Sequence, residues 1–143
     1  MRISVRQHGA TARELGMSEM SKRQAGPAVL VVEDEALIRL DIVDWLEEAG
    51  LEVEEAANAD QAIRILESRK DIRLVFTDVD MPGSMDGLKL AARVRDRWPP
   101  IKIIVTSGHV SVRPDQIPPG GRFFCKPYDR PEIAQAIRDM IRV

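Results

Sequence analysis

The sequence predicts an α/β fold, a doubly wound five-stranded parallel sheet in which the fourth helix is short or absent. Three observations predict it. Aliphatic and β-branched runs alternate five times with other segments, most of them of helical periodicity, which calls for parallel strands with helices on both faces of the sheet. Four of those runs stop at a carboxylate, a hydroxyl or an ammonium, as strands do when their carboxyl ends share one functional rim. The chain of 143 residues, 44% hydrophobic and 31% charged, is the size of one ordinary domain able to bury a full core.

The folded unit is expected over residues 27–143, behind a basic, flexible N-terminal extension over 1–26. That extension is polar, Arg-rich and ends in Gln24, Ala25, Gly26 and Pro27, too low in hydrophobicity to bury much surface. A partner-docking helix over 12–23 is the alternative, with only Leu15, Met17 and Met20 to offer as strong anchors. The run Ala28–Val32 is apolar throughout, as a strand covered on both faces must be. Glu33, Asp34 and Glu35 end it and lead into a helix whose apolar stripe is Ile38, Ile42, Trp45, Leu46 and Ala49, with Gly50 as its stop. Residues 51–56 read as a second strand, placed near an edge by their charge. Asn58 or Asp60 caps the second helix, which turns Ala62, Ile63 and Leu66 inward.

The third strand, residues 72–77, breaks at Asp78 and is followed by Val79, Asp80, Met81 and a Pro82-Gly83 loop. A third helix begins at Asp86, Gly87 and Leu88, buries Leu88, Ala91, Ala92 and Val94, and ends at Trp98, Pro99 and Pro100. Residues 101–105 form the fourth strand, closing with Thr106, Ser107, Gly108 and His109. Over 110–121, Pro114, Pro118, Pro119 and two glycines preclude a helix longer than about two turns. Arg122–Cys125 is the fifth strand, ending in Lys126-Pro127, and residues 131–143 form a last helix with Ile133, Ile137, Met140 and Ile141 on one side. Cys125 has no partner for a disulfide or a metal site and reads as a buried, inert thiol.

Several function classes are disfavoured. A net charge of -2 argues for neither nucleic acid nor an anionic membrane. The first residues lack the apolar core of a signal peptide, and no apolar run approaches the ~20 residues of a membrane span, so a cytoplasmic protein is expected. Glycine-rich phosphate loops and metal-spaced Cys and His clusters are absent from the sequence.

A lone Asp at a strand end is ordinarily a loop cap. Here Glu33 and Asp34, Asp78, Thr106 and Lys126 follow the first, third, fourth and fifth strands, whose ends meet at one rim. Carboxylates crowded there repel and favour a divalent cation, and Mg2+ takes such hard oxygen ligands. A lysine and a hydroxyl beside them suit a phosphoryl group, with Asp78 as nucleophile.

With Met81-Pro82-Gly83 behind Asp78 and Lys126-Pro127 after the fifth strand, this set resembles the receiver domain of two-component response regulators, from about residue 28 onward. The resemblance implies a flavodoxin-like fold and a phosphoacceptor, Asp78, charged by a sensor histidine kinase or histidine phosphotransfer protein. It implies Mg2+ held by Asp34, Asp78 and the main-chain carbonyl of Asp80, with Glu33 acting directly or through water. Thr106 and Lys126 would contact the phosphoryl oxygens, Lys126-Pro127 would be cis, and Phe123 would be the aromatic switch that turns inward as Thr106 moves. Such a protein is a phosphoacceptor rather than an enzyme, beyond self-catalysed phosphorylation and dephosphorylation.

Departures from the pattern are informative. Phe123 lacks the hydroxyl of the tyrosine common there, and Asp80 and Gly108 occupy positions that in this family influence phosphoryl lifetime. The proline-broken 110–121 segment resembles stand-alone receivers with a reduced fourth helix. The sequence runs from the receiver to Val143 with no output domain, so direct DNA binding is not expected. Action through a downstream protein target and action as a relay stay equally open. Competing readings are a receiver-like interaction module that is not phosphorylated, a Mg2+-dependent nuclease or primase-type domain using Glu33, Asp78 and Asp80, and a haloacid dehalogenase-type phosphatase using Asp78 and Asp80. The nuclease reading leaves Thr106 and Lys126 unexplained, and the phosphatase motif belongs on a first strand.

Overall fold

The computed structural model describes residues 28–81, 85–108 and 112–142. The extension expected over 1–26, Pro82, Gly83 and His109 lie outside the described residues. Five strands, β1 (Ala28–Val32), β2 (Glu52–Ala56), β3 (Ile72–Asp78), β4 (Lys102–Ser107) and β5 (Arg122–Cys125), form one parallel sheet in the order β2-β1-β3-β4-β5. Around it pack α1 (Ala36–Glu48), α2 (Ala59–Ser68), α3 (Gly87–Arg97) and α4 (Arg130–Ile141). The predicted fold class is the observed one.

Alternation along the strands creates two cores. Ala28, Leu30 and Val32 join Ala62 and Leu66 of α2 and Leu90, Ala91 and Val94 of α3 on one face. Val29 and Val31 join Ile42, Trp45 and Leu46 of α1 and Ile133 and Ile137 of α4 on the other. The charged strand β2 takes an edge, its glutamates half-buried. Side chains fix two helix starts: Asn58 accepts from the Gln61 amide (2.8 Å), and Asp86 accepts from the Lys89 amide (2.9 Å). Such caps contribute about 1 kcal/mol each.

Helix phase departs from expectation in places. Ile38 is 40% exposed and Val43 takes its place in the core, because the first turn of α1 stands at the rim beyond the sheet's cover. In α3 the inward set is Gly87, Leu90, Ala91 and Val94, a 3-4-7 spacing that leaves Leu88 half-buried and Ala92 exposed. In α4, Ala134 and Ala136 join Ile133 and Ile137 inside, while Met140 and Ile141 are half-buried.

Between β4 and β5 the described residues hold only a three-residue 3-10 turn, Pro114–Gln116, as the prolines foretell. A cavity of about 210 Å³, lined by Val112, Arg113, Pro114, Ile117, Gly121 and Phe123, lies beside it. The expectation of a buried Cys125 is wrong: its thiol is exposed. Phe124 faces the covered core, whereas Phe123 and Cys125 share the opposite face of an edge strand, and among the described residues no full helix between β4 and β5 covers it.

Candidate functional site at the carboxyl ends of the strands

The ladder that builds the sheet continues past the strand ends and fixes the rim. The Glu33 amide donates to the Ala56 carbonyl (3.1 Å), the Val79 amide to the Thr106 carbonyl (2.8 Å) and the Lys126 amide to the Ser107 carbonyl (2.8 Å). Asp78 sits directly opposite Thr106 in register. Glu33, Asp78 and Thr106 are 3%, 7% and 2% exposed, and Asp34 is half-buried. The Lys126-Pro127 peptide bond is cis, as the resemblance implies.

Carboxylate oxygens of Glu33, Asp34 and Asp78 lie within 4.8 Å of one another. Two full charges at that spacing repel by about 3 kcal/mol at an effective dielectric near 20. Burial, reinforced by the Asp78 charge, pushes the Glu33 carboxyl up to about 7, against the hydrogen bond that Glu33 Oε2 accepts from the Glu35 amide (3.1 Å). Burial also raises Asp78, opposed by Lys126 and reinforced by Asp80 and Asp34. Lys126 Nζ stands 3.0 Å from Asp78 Oδ1, and this ion pair is what opposes the effect of burial on the carboxyl. Three crowded carboxylates, each with an oxygen within 4.8 Å of the others, fit a divalent cation with a preference for oxygen ligands.

The structure thus brings Glu33, Asp34, Asp78, Thr106 and Lys126 to one rim. Asp80 lies two residues beyond Asp78, its exposed carboxylate accepting from the Ser107 hydroxyl at 3.4 Å. Phe123 stands apart from the acids, paired with Val105 in the ladder, half-buried against the cavity. Sequence reasoning missed what supports the site. A Cβ on Gly87 would fall 2.0 Å from the Asp78 carbonyl oxygen, so α3 approaches the acceptor's backbone as closely as it does only because this residue is glycine. The Gly87 amide donates to the Val79 carbonyl at 3.0 Å. The Asp86-Gly87 pair signals a helix start, but nothing in its pattern marks that contact. Tyr128 was also missed; its ring lies 6.2 Å from Trp45 and 6.1 Å from Phe76, and burial pushes its hydroxyl up to about 12.

Residues 29–138 match the family model described as the response regulator receiver domain. Among curated proteins, the sensor kinase CckA of Brucella abortus is 31% identical over 134 residues, 91% of this chain and 14% of that protein. A putative NtrX-like response regulator of Rickettsia bellii is 38% identical over 85 residues, 59% of this chain and 18% of that protein. The chain therefore spans less than a fifth of the length of these relatives. Among solved structures, the response regulator TrrA of Thermotoga maritima, in complex with Mg2+ and BeF, is 27% identical with a TM-score of 0.71, covering 80% of this chain and 98% of that one. Family model, parallel sheet and acidic rim agree, and the chain belongs to the response regulator receiver domain family.

Proposed function

We propose that residues 27–143 act as a stand-alone receiver that accepts a phosphoryl group on Asp78 from a histidine kinase or phosphotransfer protein, with Mg2+ required. The observation that carries this reading is the state of Asp78: a buried carboxylate at the end of β3, opposite Thr106, paired with Lys126, inside a cluster that fits a cation. Glu33, Asp34, Asp78 and the main-chain carbonyl of Asp80 would hold Mg2+. Bound there, the ion supplies neutralisation of the acids and of the charge on the transferring phosphoryl group.

An Asp78 carboxylate oxygen attacks phosphorus, the bond from phosphorus to the donor nitrogen breaks, and the leaving imidazole takes up a proton. Lys126 draws charge from the phosphoryl oxygens, and the Thr106 hydroxyl donates to one of them. The product adds about two negative charges at the rim, and the domain responds to the extent that Thr106 and Lys126 bind it better in one of two conformations. Phe123, beside the cavity, is the residue proposed to carry that change outward. An apolar patch supports partner docking beside Asp78: Leu37 is 83% and Leu40 50% exposed, at the start of the helix that follows Glu33 and Asp34.

No helix among the described residues is long and apolar enough to cross a membrane; a cytoplasmic setting is part of the proposal, as is the N-terminal extension over 1–26. The test is intact-protein mass after exposure to acetyl phosphate, with Mg2+ and with chelator, for the wild type and Asp78→Asn. A phosphoryl adduct that needs Mg2+ and is lost in the variant is expected. A folded wild type with no adduct and no Mg2+ binding would favour the unphosphorylated interaction module.

A further inference from the structure

We propose that Arg39 is a positioning residue for the cation site, clamping the peptide unit that joins Glu33 to Asp34; this rests on the Mg2+ reading above. Arg39 lies in the first turns of α1 with a side chain only 17% exposed. Its Nη1 donates to the Glu33 main-chain carbonyl at 2.8 Å, and its Nε donates to Glu55 Oε1 at 2.9 Å. The Glu33 amide is already held by Ala56, the residue after Glu55. Both main-chain polar groups of Glu33 are therefore pinned, one by the end of β2 and one by an arginine that the same strand orients. Since that carbonyl belongs to the peptide plane leading into Asp34, the clamp sets the direction in which the Asp34 carboxylate leaves the backbone.

Charge and geometry make opposite predictions here. A cation beside a metal site repels the metal, so if Arg39 acted only through its charge, its removal would tighten Mg2+ binding. A positioning role requires the reverse, because a clamp that orients a ligand contributes to affinity through the ligand's placement. Arginine suits the task, since its planar fork serves two acceptors at fixed angles and an ammonium does not. Glu55 both aims the guanidinium and offsets its charge.

Calorimetric Mg2+ titration of the full chain, with thermal melts to verify folding, tests the proposal on Arg39→Met, Arg39→Lys and Glu55→Gln. Affinity is expected to fall about tenfold in Arg39→Met, less in the charge-retaining Arg39→Lys and least in Glu55→Gln. A second readout needs no metal: amide hydrogen exchange at Asp34 and Glu35 should quicken in both Arg39 variants. Unchanged or tighter Mg2+ binding in folded Arg39→Met, or undisturbed exchange, would overturn the proposal; should the methionine variant not fold, the same outcomes in Arg39→Lys decide it. A wild type that binds no Mg2+ would overturn the cation reading itself and this inference with it, whereas normal wild-type binding with indifferent variants overturns the inference alone.

Discussion

On the β1 and β3 side of the sheet, the strand ends that carry Glu33, Asp34 and Asp78 are backed by helices on both faces, and Leu30, Val31, Leu74 and Val75 are sealed from solvent. At the β5 edge, beyond a β4 whose Ile103, Ile104 and Val105 are themselves sealed, a three-residue turn precedes the last strand among the described residues, and Ile117, Phe123 and Cys125 remain partly or fully exposed. The acids that would hold the cation thus stand on the tightly packed half, and Lys126 and Phe123 on the thinly covered one, with Thr106 between them. Dense cores resist graded deformation, so a charge added at Asp78, as proposed, would find its compliant neighbours on the β5 flank. Under the proposed function, rigidity where ligands are placed and compliance where a signal leaves would be separate demands met by separate flanks.

The largest effect should come from Gly87→Ala. Its methyl would occupy the space of the Asp78 carbonyl, and the expected loss is at least ~3 kcal/mol of stability in denaturant unfolding, together with impaired Mg2+ binding. Next, Leu90→Ala on the packed side should cost about 2–5 kcal/mol, whereas Ile117→Ala beside the cavity should cost under about 1 kcal/mol. Equal losses at the two positions would erase the contrast between the flanks. Phe123→Ala, half-buried, should cost about 1–2 kcal/mol and leave acetyl phosphate labelling of Asp78 intact while uncoupling target binding. Loss of labelling in that variant would remove Phe123 from the output path.

The smallest effect is a pH dependence. With its carboxyl at about 7 in the folded protein against an ordinary value of 4.5, Glu33 binds its proton more tightly when folded. Metal-free stability therefore falls as pH rises from about 4.5 to 7 and stays at that lower level above, and the raised Asp78 acts in the same direction. Glu33→Gln should flatten most of that slope and raise the metal-free melting temperature at pH 8 by about 5 °C. Mg2+ should reverse the trend, since its ligands must be deprotonated, and its affinity should weaken as pH drops through 7.

Much of this was legible in the sequence because the packed flank obeys simple periodicities. β1 is apolar at every position, and a strand that must be covered on both faces admits little else. The rim residues were legible because the ends of parallel strands converge, so Asp78 and Thr106 could be placed on one rim from their positions alone, whereas their direct pairing is seen only in the sheet register. Helix phase was less legible. Ile38 satisfies the spacing of the α1 stripe, yet the first turn overhangs the sheet, and spacing carries no information about where cover ends. Cys125 failed for a related reason: an apolar run on an edge strand reads as buried unless the short 3-10 turn, the described cover between β4 and β5, is carried through to its consequence. Arg39 and Gly87 were opaque because each acts on a main-chain carbonyl, and a backbone acceptor leaves no mark in a sequence.

The contrast between the flanks is tested most directly by amide hydrogen exchange of the full chain with Mg2+, before and after addition of beryllofluoride as a phosphoryl mimic. Outside the acid cluster itself, exchange should change over residues 106–108 and 112–126 and hold constant over β1, β2 and α2. A change of equal size across β2 and α2, or none at all near Phe123 despite a bound mimic, would contradict the account.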